Sequence, residues 1–448
     1  MMTTIPIAKY DSAVPRYTSY PTAPHFHAGV DRHVYEWWLA ELDPAQPLSL
    51  YLHIPFCDSL CWFCGCNTKV VNRYSPLAGY LDLLKAEMKL VAGILGRRSV
   101  SHVHFGGGTP SMLSPADIRG LGDLMWSLFD RAPGTEIAVE IDPRSLSFEA
   151  VRAFADIGVN RASIGVQDMN REVQEAVNRV QPLAVTAEAM AALRSVGVER
   201  INIDLMYGLP YQNVDRVLHT VECLLPLSPD RLAVFGYAHV PHMKPHQKLL
   251  PEAALPGRDA RFAQQAAIAD RLGEAGYRRI GLDHFARPQD PLVTALDAGR
   301  LRRNFQGYTV DPAVALIPLG ASAIGALPQG YVQNAAAVPE YSKAIQEGRL
   351  PIVRGVAVTP DDRLRRAIIE QIMCNLHVDV GALEAEAGLY PDFSRERLAL
   401  AALEADGLVE VKWPVIIVPE SARFLLRSVA AVFDAYLASG VARHSRAV

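Results

Sequence analysis

The chain has 448 residues, of which half are hydrophobic and about a fifth are charged. This balance is typical of a large folded protein with more than one unit, and it excludes an intrinsically disordered chain. The net charge of -4 argues against a general nucleic-acid binder, because such proteins are normally basic.

Two regions bear on where the protein is located. Residues 1–24 contain no apolar stretch after a basic start, so we expect no secretory signal and a cytoplasmic protein. The most apolar later run, 313–327, contains Pro318, Gly320 and Gly325. It is too short and too interrupted to span a bilayer, and it favours a buried strand followed by a turn.

From residue 49 onward, short β-like runs alternate with longer helical patterns. Strands are predicted at 49–54, 100–105, 136–141, 162–166, 201–206 and 232–238, and helices at 77–95, 115–129, 148–157, 185–196 and 214–225. This alternation predicts parallel strands joined by right-handed crossovers. Six units are too few for a complete eight-unit barrel, so the pattern is compatible with a partial barrel or an open sheet.

The alternation loosens after about residue 241, where a helix is predicted at 261–276 and a strand at 278–282. The chain from 361 onward is mostly helical, with a β-like pair at 409–418. The turn-rich segment 356–360 is a natural boundary between the two parts. We therefore predict three regions, which are an N-terminal extension at 1–48, a barrel core with its extension at 49–355 and a helical domain at 356–448.

Four of the six cysteines lie close together, at Cys57, Cys61, Cys64 and Cys66. They follow the carboxyl end of the first predicted strand, where α/β folds build their sites. In a chain without an export signal, so tight a cluster indicates metal or redox chemistry. Zinc and iron–sulfur are both compatible with these thiolates. Three thiolates on one loop would leave one iron of a four-iron cluster open to a small chelating molecule.

This loop resembles the signature of the radical S-adenosylmethionine (SAM) superfamily. Its cysteines have the spacing C-x3-C-x2-C, and Phe63 precedes the last of them. The segment 105–110, with the sequence FGGGTP, resembles the superfamily's glycine-rich segment that contacts SAM. Glycines at such a segment let the backbone approach a ligand closely.

Further blocks resemble one branch of the superfamily, the oxygen-independent coproporphyrinogen III oxidases. They lie at 14–22, 50–57, 64–66, 163–167, 204–210, 303–308 and 320–325, so the resemblance covers most of the chain. Trp62 stands where this family has tyrosine, a change that is conservative in size. The fold implied is α/β, a partial (β/α)6 radical SAM barrel with an N-terminal extension and a small, mostly helical C-terminal domain.

The resemblance implies oxidative decarboxylation of two propionate side chains of coproporphyrinogen III to vinyl groups, giving protoporphyrinogen IX in haem biosynthesis without oxygen. It implies a [4Fe–4S] cluster and one or two SAM molecules as cofactors. In this family SAM is cleaved to methionine and a 5′-deoxyadenosyl radical, which takes hydrogen from the propionate β-carbon. An electron donor and an electron acceptor are required, and we expect a monomer with no nucleic-acid partner and no membrane span.

The resemblance also implies roles for individual residues. Cys57, Cys61 and Cys64 match the cluster ligands. Cys66 matches a position that serves substrate positioning or hydrogen transfer, and the alternative is a packing role. Positions that match SAM contacts are Tyr51, Phe63, Gly107, Gly108, Thr109, Glu140, Gln167, Arg179, Asp204, Ala238 and Ile324. The substrate carries four carboxylates, so Arg16 is a candidate partner for one of them, and the extension that holds it is a candidate lid.

Three other functions compete with the oxidase. A haem-binding chaperone on the same scaffold and a radical SAM methyltransferase that opens haem are the nearest. The chaperones usually lack both the Cys64-Gly-Cys66 continuation and the block at 15–21, and the methyltransferase should lack that block, so the presence of both favours the oxidase. A zinc-stabilised structural or regulatory protein would explain the cysteines but none of the downstream blocks.

Overall fold

A twelve-stranded sheet dominates the computed structural model, which describes residues 5–437. The strands of the molecule are β1 Leu48–Ile54, β2 Phe56–Cys57, β3 Lys69–Val70, β4 Ser99–Gly107, β5 Asp130–Ile141, β6 Arg161–Gln167, β7 Arg200–Tyr207, β8 Arg231–Gly236, β9 Arg278–Ile280, β10 His284–Ala286, β11 Arg302–Asn304, β12 Gly307–Thr309, β13 Ala315–Leu319, β14 Ile324–Leu327, β15 Gly330–Asn334, β16 Ile352–Ala357, β17 His377–Asp379, β18 Glu410–Lys412 and β19 Val415–Ile417.

Helices connect the parallel strands and make up most of the C-terminal region. They are α1 Ile7–Tyr10, α2 Arg32–Ala40, α3 Ser75–Leu95, α4 Pro115–Leu128, α5 Phe148–Asp156, α6 Arg171–Ala176, α7 Leu183–Ser195, α8 Val214–Leu224, α9 Arg258–Glu274, α10 Pro291–Asp297, α11 Val338–Gln346, α12 Pro360–Asn375, α13 Val380–Ala387, α14 Ser394–Ala405 and α15 Leu426–Ala430.

The order of the strands confirms the predicted α/β partial barrel. Strands β1, β4, β5, β6, β7 and β8 lie side by side in chain order, and neighbouring pairs are parallel. The apolar run 313–327 adds β13 parallel to the outer side of β1, and β14, β15 and β16 continue the sheet in antiparallel order. At the other end, β10 and β9 extend it beyond β8. The sheet therefore contains twelve strands, six more than the six strands predicted for the barrel.

Alternating residues give each central strand an apolar face and a polar face. On β1, Leu48, Leu50, Leu52 and Ile54 are fully buried in the hydrophobic core that the helices cover. Between them stand Ser49, Tyr51 and His53, and β4 and β5 repeat the pattern with polar side chains at the same alternate positions. Because strand side chains point to opposite faces in turn, the polar residues collect on the inner face of the barrel.

The C-terminal region builds a hydrophobic core of its own around α12, α15 and the small sheet β17–β19–β18. Tyr17 and Tyr20 of the N-terminal segment are buried in this core as well. The boundary that we predict at residue 356 lies at the end of β16 and just before α12. Residues 1–4 and 438–448 of the predicted outer regions lie outside the described residues. Within residues 5–437, none of the helices is long and apolar enough to cross a membrane.

Candidate active site

The cysteine loop closes on itself directly after β1. The short strands β2 and β3 pair in parallel, so the two ends of the loop lie side by side. The backbone N–H of Lys69 donates to Pro55 O at 2.8 Å, and that of Val71 donates to Cys57 O at 3.0 Å. These bonds hold the loop at the carboxyl end of the barrel strand, where the sequence predicted it.

The three loop thiols, which are those of Cys57, Cys61 and Cys64, line one cavity of about 180 Å³. Thr109 Oγ1 donates a hydrogen bond to Cys57 Sγ at 3.3 Å. The backbone N–H of Cys66 donates to Cys64 Sγ at 3.4 Å. Hydrogen bonds from the Cys66 thiol and backbone outweigh the effect of burial and lower the pKa of Cys64. Hydrogen bonds of this kind stabilise a thiolate, which is the form that binds metal.

Positive charge lies beside the thiol of Cys61, which is buried. Arg144 Nη2 and Arg179 Nη1 are each 3.5 Å from Cys61 Sγ. Asp142 holds both guanidinium groups, at 2.6 Å from Arg144 Nη2 and 3.0 Å from Arg179 Nη1. Burial opposes the ionisation of Asp142, but the two arginines outweigh it and lower the pKa of the carboxyl. The result is a fixed cationic wall next to the thiol of Cys61.

Glycines at the end of β4 close the cavity tightly. A Cβ on Gly108 would lie 2.4 Å from Phe56 O, and a Cβ on Gly107 would lie 2.6 Å from the ring of His53. The backbone of Gly107 also has a φ of +113°, which favours glycine. The segment 105–110 therefore needs glycine for its close approach to the cysteine loop.

The donor set of this cavity fits the implied iron–sulfur cluster. Three thiols from one loop line it, and sulfur is the ligand that such clusters take. Across residues 5–437, there is no group of three or more His, Cys, Asp or Glu side chains arranged to hold a single metal ion. The remaining walls combine glycine backbone and polar side chains with the apolar side chains of Leu60, Phe63 and Ile141. Such a mixture suits an organic molecule with polar groups beside the cluster.

Two carboxylates from the barrel interior reach the same cavity. His104 Nε2 and the backbone N–H of Gly107 both donate to Glu140 at 3.0 Å. Burial opposes ionisation, but these hydrogen bonds lower the pKa of Glu140. Burial and the nearby charge of Glu140 raise the pKa of Asp204 to about 6. One carboxylate is thus held charged while its neighbour takes up a proton more readily.

Gln167 and Arg179 present unpaired atoms at the cavity. Gln167 has a φ of +73°, and its Oε1 is buried without a hydrogen-bond partner among the described residues. Arg179 is 7% exposed, and its Nη2 donates to Gly165 O at 2.6 Å. Its Nε has no hydrogen-bond partner within the described part of the chain. Such unsatisfied buried atoms are typical of a site that binds a polar ligand.

Most of the predicted site residues converge on this cavity. Those that line it are Cys57, Cys61, Phe63, Cys64, Cys66, Gly107, Gly108, Thr109, Glu140, Gln167, Arg179 and Asp204. Tyr51, Ala238 and Ile324 lie outside it. Tyr51 OH is 3.0 Å from His53 Nδ1 inside the barrel, Ala238 lines a second cavity and Ile324 packs near Phe26 and Tyr331.

The sequence did not single out three other residues that shape the site. Asp142 and Arg144 follow β5, which ends at Ile141 next to the predicted Glu140. A search for polar residues at the carboxyl ends of the parallel strands could therefore have found them. His104 immediately precedes the glycine-rich segment, and only the alternation of polar residues on β4 indicates its inward position.

The fold and the site define the class of protein. The sequence model of the radical SAM superfamily matches residues 51–224, which hold the loop thiols, Glu140 and Asp204. The chain is therefore a radical SAM protein with a [4Fe–4S] cluster and SAM as cofactors.

Individual proteins that are similar to this chain identify its family within the superfamily. A protein of Bradyrhizobium diazoefficiens named oxygen-independent coproporphyrinogen III oxidase is 49% identical over 440 residues, which are 98% of each chain. A Synechocystis protein of the same name is 39% identical over 96% of this chain and 94% of its own. The solved coproporphyrinogen III oxidase of Escherichia coli is 38% identical, with a TM-score of 0.92 over 98% of this chain and all of the other. The chain belongs to the family of oxygen-independent coproporphyrinogen III oxidases.

Proposed function

We propose that the protein oxidatively decarboxylates two propionate side chains of coproporphyrinogen III to vinyl groups, giving protoporphyrinogen IX in haem biosynthesis. The observation that carries this proposal is the extent of the match, which covers 98% of this chain and of the relative that bears the oxidase name. The match thus includes the N-terminal segment and the C-terminal region, and is not confined to the barrel.

When bound, the cluster and SAM supply a reductive cleavage that yields a radical able to take hydrogen from carbon. The three loop thiols would hold the cluster, because their sulfurs line one cavity beside the ends of the barrel strands. Glu140, fixed by His104 and Gly107, would accept hydrogen bonds from hydroxyl or ammonium groups of SAM. The unpaired Oε1 of Gln167 would accept another.

Cys66 is proposed to act on the substrate side of the cavity, in positioning or hydrogen transfer. It lines the same cavity as the three loop thiols. Lys244 Nζ donates to Cys66 O at 2.9 Å, which ties this residue to the segment that follows β8. A cytoplasmic location, a monomeric state and separate electron carriers remain predictions from the sequence.

The test is turnover by the anaerobically purified and reconstituted protein with dithionite, SAM and coproporphyrinogen III. Protoporphyrinogen IX and 5′-deoxyadenosine, measured by chromatography, are expected together. Cys61→Ser should abolish both products, while Cys223→Ser, a change on α8 outside the cavity, should keep them. A wild-type protein that cleaves SAM but leaves the porphyrinogen unchanged would contradict the oxidase and favour the haem chaperone or haem-opening enzyme.

A further inference from the structure

A second and larger cavity, of about 580 Å³, lies at the carboxyl ends of β7 and β8. Its volume is within the range of small-molecule sites. Seven separate segments of the sequence build its walls, from the N-terminal segment to α15. Apolar side chains such as Val234, Phe235 and Phe424 provide flat, uncharged surfaces between the polar ones.

Positive charge is in excess in this cavity. Five arginines line it, against three carboxylates from Asp11, Glu252 and Asp283. The Glu252 side chain is 81% exposed, so it points largely to solvent. Asp283 is already engaged, because its Oδ1 accepts from His284 Nδ1 at 2.7 Å and lies 3.7 Å from Arg303 Nη1. Clustered cations in a poorly solvated site are costly unless an anion joins them.

Arg261 is the clearest candidate for an anion contact. Its guanidinium lies against the strand ends, because a Cβ on Gly208 would be 2.6 Å from Nη1 and one on Gly236 would be 3.2 Å from Nη2. It stacks over the ring of Tyr207 at 5.7 Å. Among residues 5–437 it forms neither an ion pair nor a side-chain hydrogen bond, and its buried Nε is unpaired.

Three more arginines surround this position. Arg303 is 5% exposed, and within the described residues its Nε and Nη1 have no hydrogen-bond partner. Arg427 is 7% exposed, and its Nη1 donates to Val14 O at 3.2 Å. Arg16 donates from Nη2 to Gly236 O at 3.1 Å. Burial and the charge of Arg16 lower the pKa of Arg427 to about 10, so Arg427 stays charged at neutral pH.

The second cavity borders the cavity of the three loop thiols. Gln247 Nε2 donates to Phe63 O at 3.1 Å and to Ala238 O at 3.2 Å. Phe63 lines the cavity of the three loop thiols, which we call the cluster cavity. Ala238 lines the second cavity, which we call the arginine cavity after the five arginines in its walls. The two cavities therefore meet at this wall. A ligand anchored among the arginines can therefore present another of its substituents to the cluster cavity.

We propose that the arginine cavity binds the two carboxylates that the tetrapyrrole keeps through the reaction, with Arg261 as a direct contact. This inference rests on the proposed function, in which two of four propionates lose their carboxyl groups and two remain. The reacting side chains must face the cluster cavity, so the unreactive carboxylates need a separate anchor. Arginine suits them, since its planar group pairs with a carboxylate through two hydrogen bonds.

The test measures the binding of stable, fully oxidised porphyrins to the reconstituted holoprotein by their fluorescence. Coproporphyrin III has four propionates, protoporphyrin IX has the two that the reaction leaves, and coproporphyrin III tetramethyl ester has no charge. The wild type should bind both acids at least about tenfold more tightly than the ester. Arg261→Gln should lose about tenfold or more in affinity for both acids without change for the ester, and Arg261→Lys should recover part of the loss.

Arg171→Gln is the matched control, because Arg171 is an exposed arginine on α6 outside both cavities. It should bind all three porphyrins as the wild type does. Equal affinity of the wild type for acid and ester would overturn the inference without any variant. Arg261→Gln that binds the acids normally would also overturn it, even if turnover of coproporphyrinogen III upholds the oxidase. A wild type that neither turns over the porphyrinogen nor binds any porphyrin would overturn both.

Discussion

Gly108→Ala tests whether the close approach of β4 to the cysteine loop is structural. The added methyl would lie 2.4 Å from Phe56 O and 2.7 Å from Phe56 N. Both are backbone atoms of the segment that carries Cys57, so no side chain can rotate away to make room. The strand ends would have to separate, and two backbone hydrogen bonds span the same gap, from Gly108 to Ile54 at 2.8 Å and from Thr109 to Phe56 at 2.7 Å.

The expected cost follows from these contacts. Overpacking of a tight site costs about 1–3 kcal/mol, and each weakened hydrogen bond costs about 0.5–1.5 kcal/mol. With two hydrogen bonds affected, we therefore expect the free energy of unfolding to fall by about 2–6 kcal/mol. The displacement also moves Thr109, whose hydroxyl donates to Cys57 Sγ at 3.3 Å, so the iron content should fall.

The assay compares Gly108→Ala with Gly93→Ala, anaerobically and after reconstitution. Gly93 lies within α3, where an added methyl would meet no described heavy atom within 4 Å apart from its chain neighbours and the backbone of its own helix. That control should gain up to about 1 kcal/mol from better helix propensity. Urea unfolding and bound iron per chain are the two measurements. Wild-type stability and iron content in Gly108→Ala would refute the argument for a glycine-dependent loop.

Three further predictions address the site and its support. Replacing Cys57, Cys61 or Cys64 by serine should remove the visible absorbance of the iron–sulfur cluster, measured after reconstitution. Cys223→Ser should keep that absorbance. Asp290→Asn should lower the free energy of unfolding by about 3–5 kcal/mol, because it leaves Arg231 buried and unpaired; Asp130→Asn, in an exposed pair, should cost less than about 1 kcal/mol. The pKa of Asp204 is raised to about 6, so its ionisation costs stability as the pH rises from about 4 through 6. Asp204→Asn should therefore gain about 1–3 kcal/mol relative to wild type between about pH 4 and pH 7 in urea unfolding, and a constant difference would contradict this.

The sequence predicted the barrel and the cysteine loop because both depend on local patterns. Period-two alternation and helix spacing located the six central strands. The family resemblance, and not a local pattern, implied that Glu140 and Asp204 belong to the same site as the loop thiols. The sheet extensions were harder to predict. Strands β14, β15 and β16 are short and antiparallel, and nothing local in 324–357 shows that they continue the barrel sheet.

The arginine cavity could not be predicted from sequence for a related reason. Arg261, Arg303 and Arg427 come from separate segments, and no spacing rule connects them. The sequence analysis names only Arg16 as a partner for a substrate carboxylate, although Arg303 also lies in a block that resembles the family. Arg179 shows a different limit, since sequence predicted a ligand contact but not the buried ion pair with Asp142. Packing between segments that are distant in the sequence determines these contacts, and no local sequence pattern predicts them.

The measurement that tests the central claim most directly is hydrogen transfer from the substrate. Coproporphyrinogen III deuterated at the propionate β-carbons is incubated anaerobically with the reconstituted protein, SAM and reductant, and 5′-deoxyadenosine is analysed by mass spectrometry. The account predicts one deuterium in 5′-deoxyadenosine and vinyl product formed in step with it. Unlabelled 5′-deoxyadenosine, or labelled material without vinyl product, would contradict oxidative decarboxylation at this site.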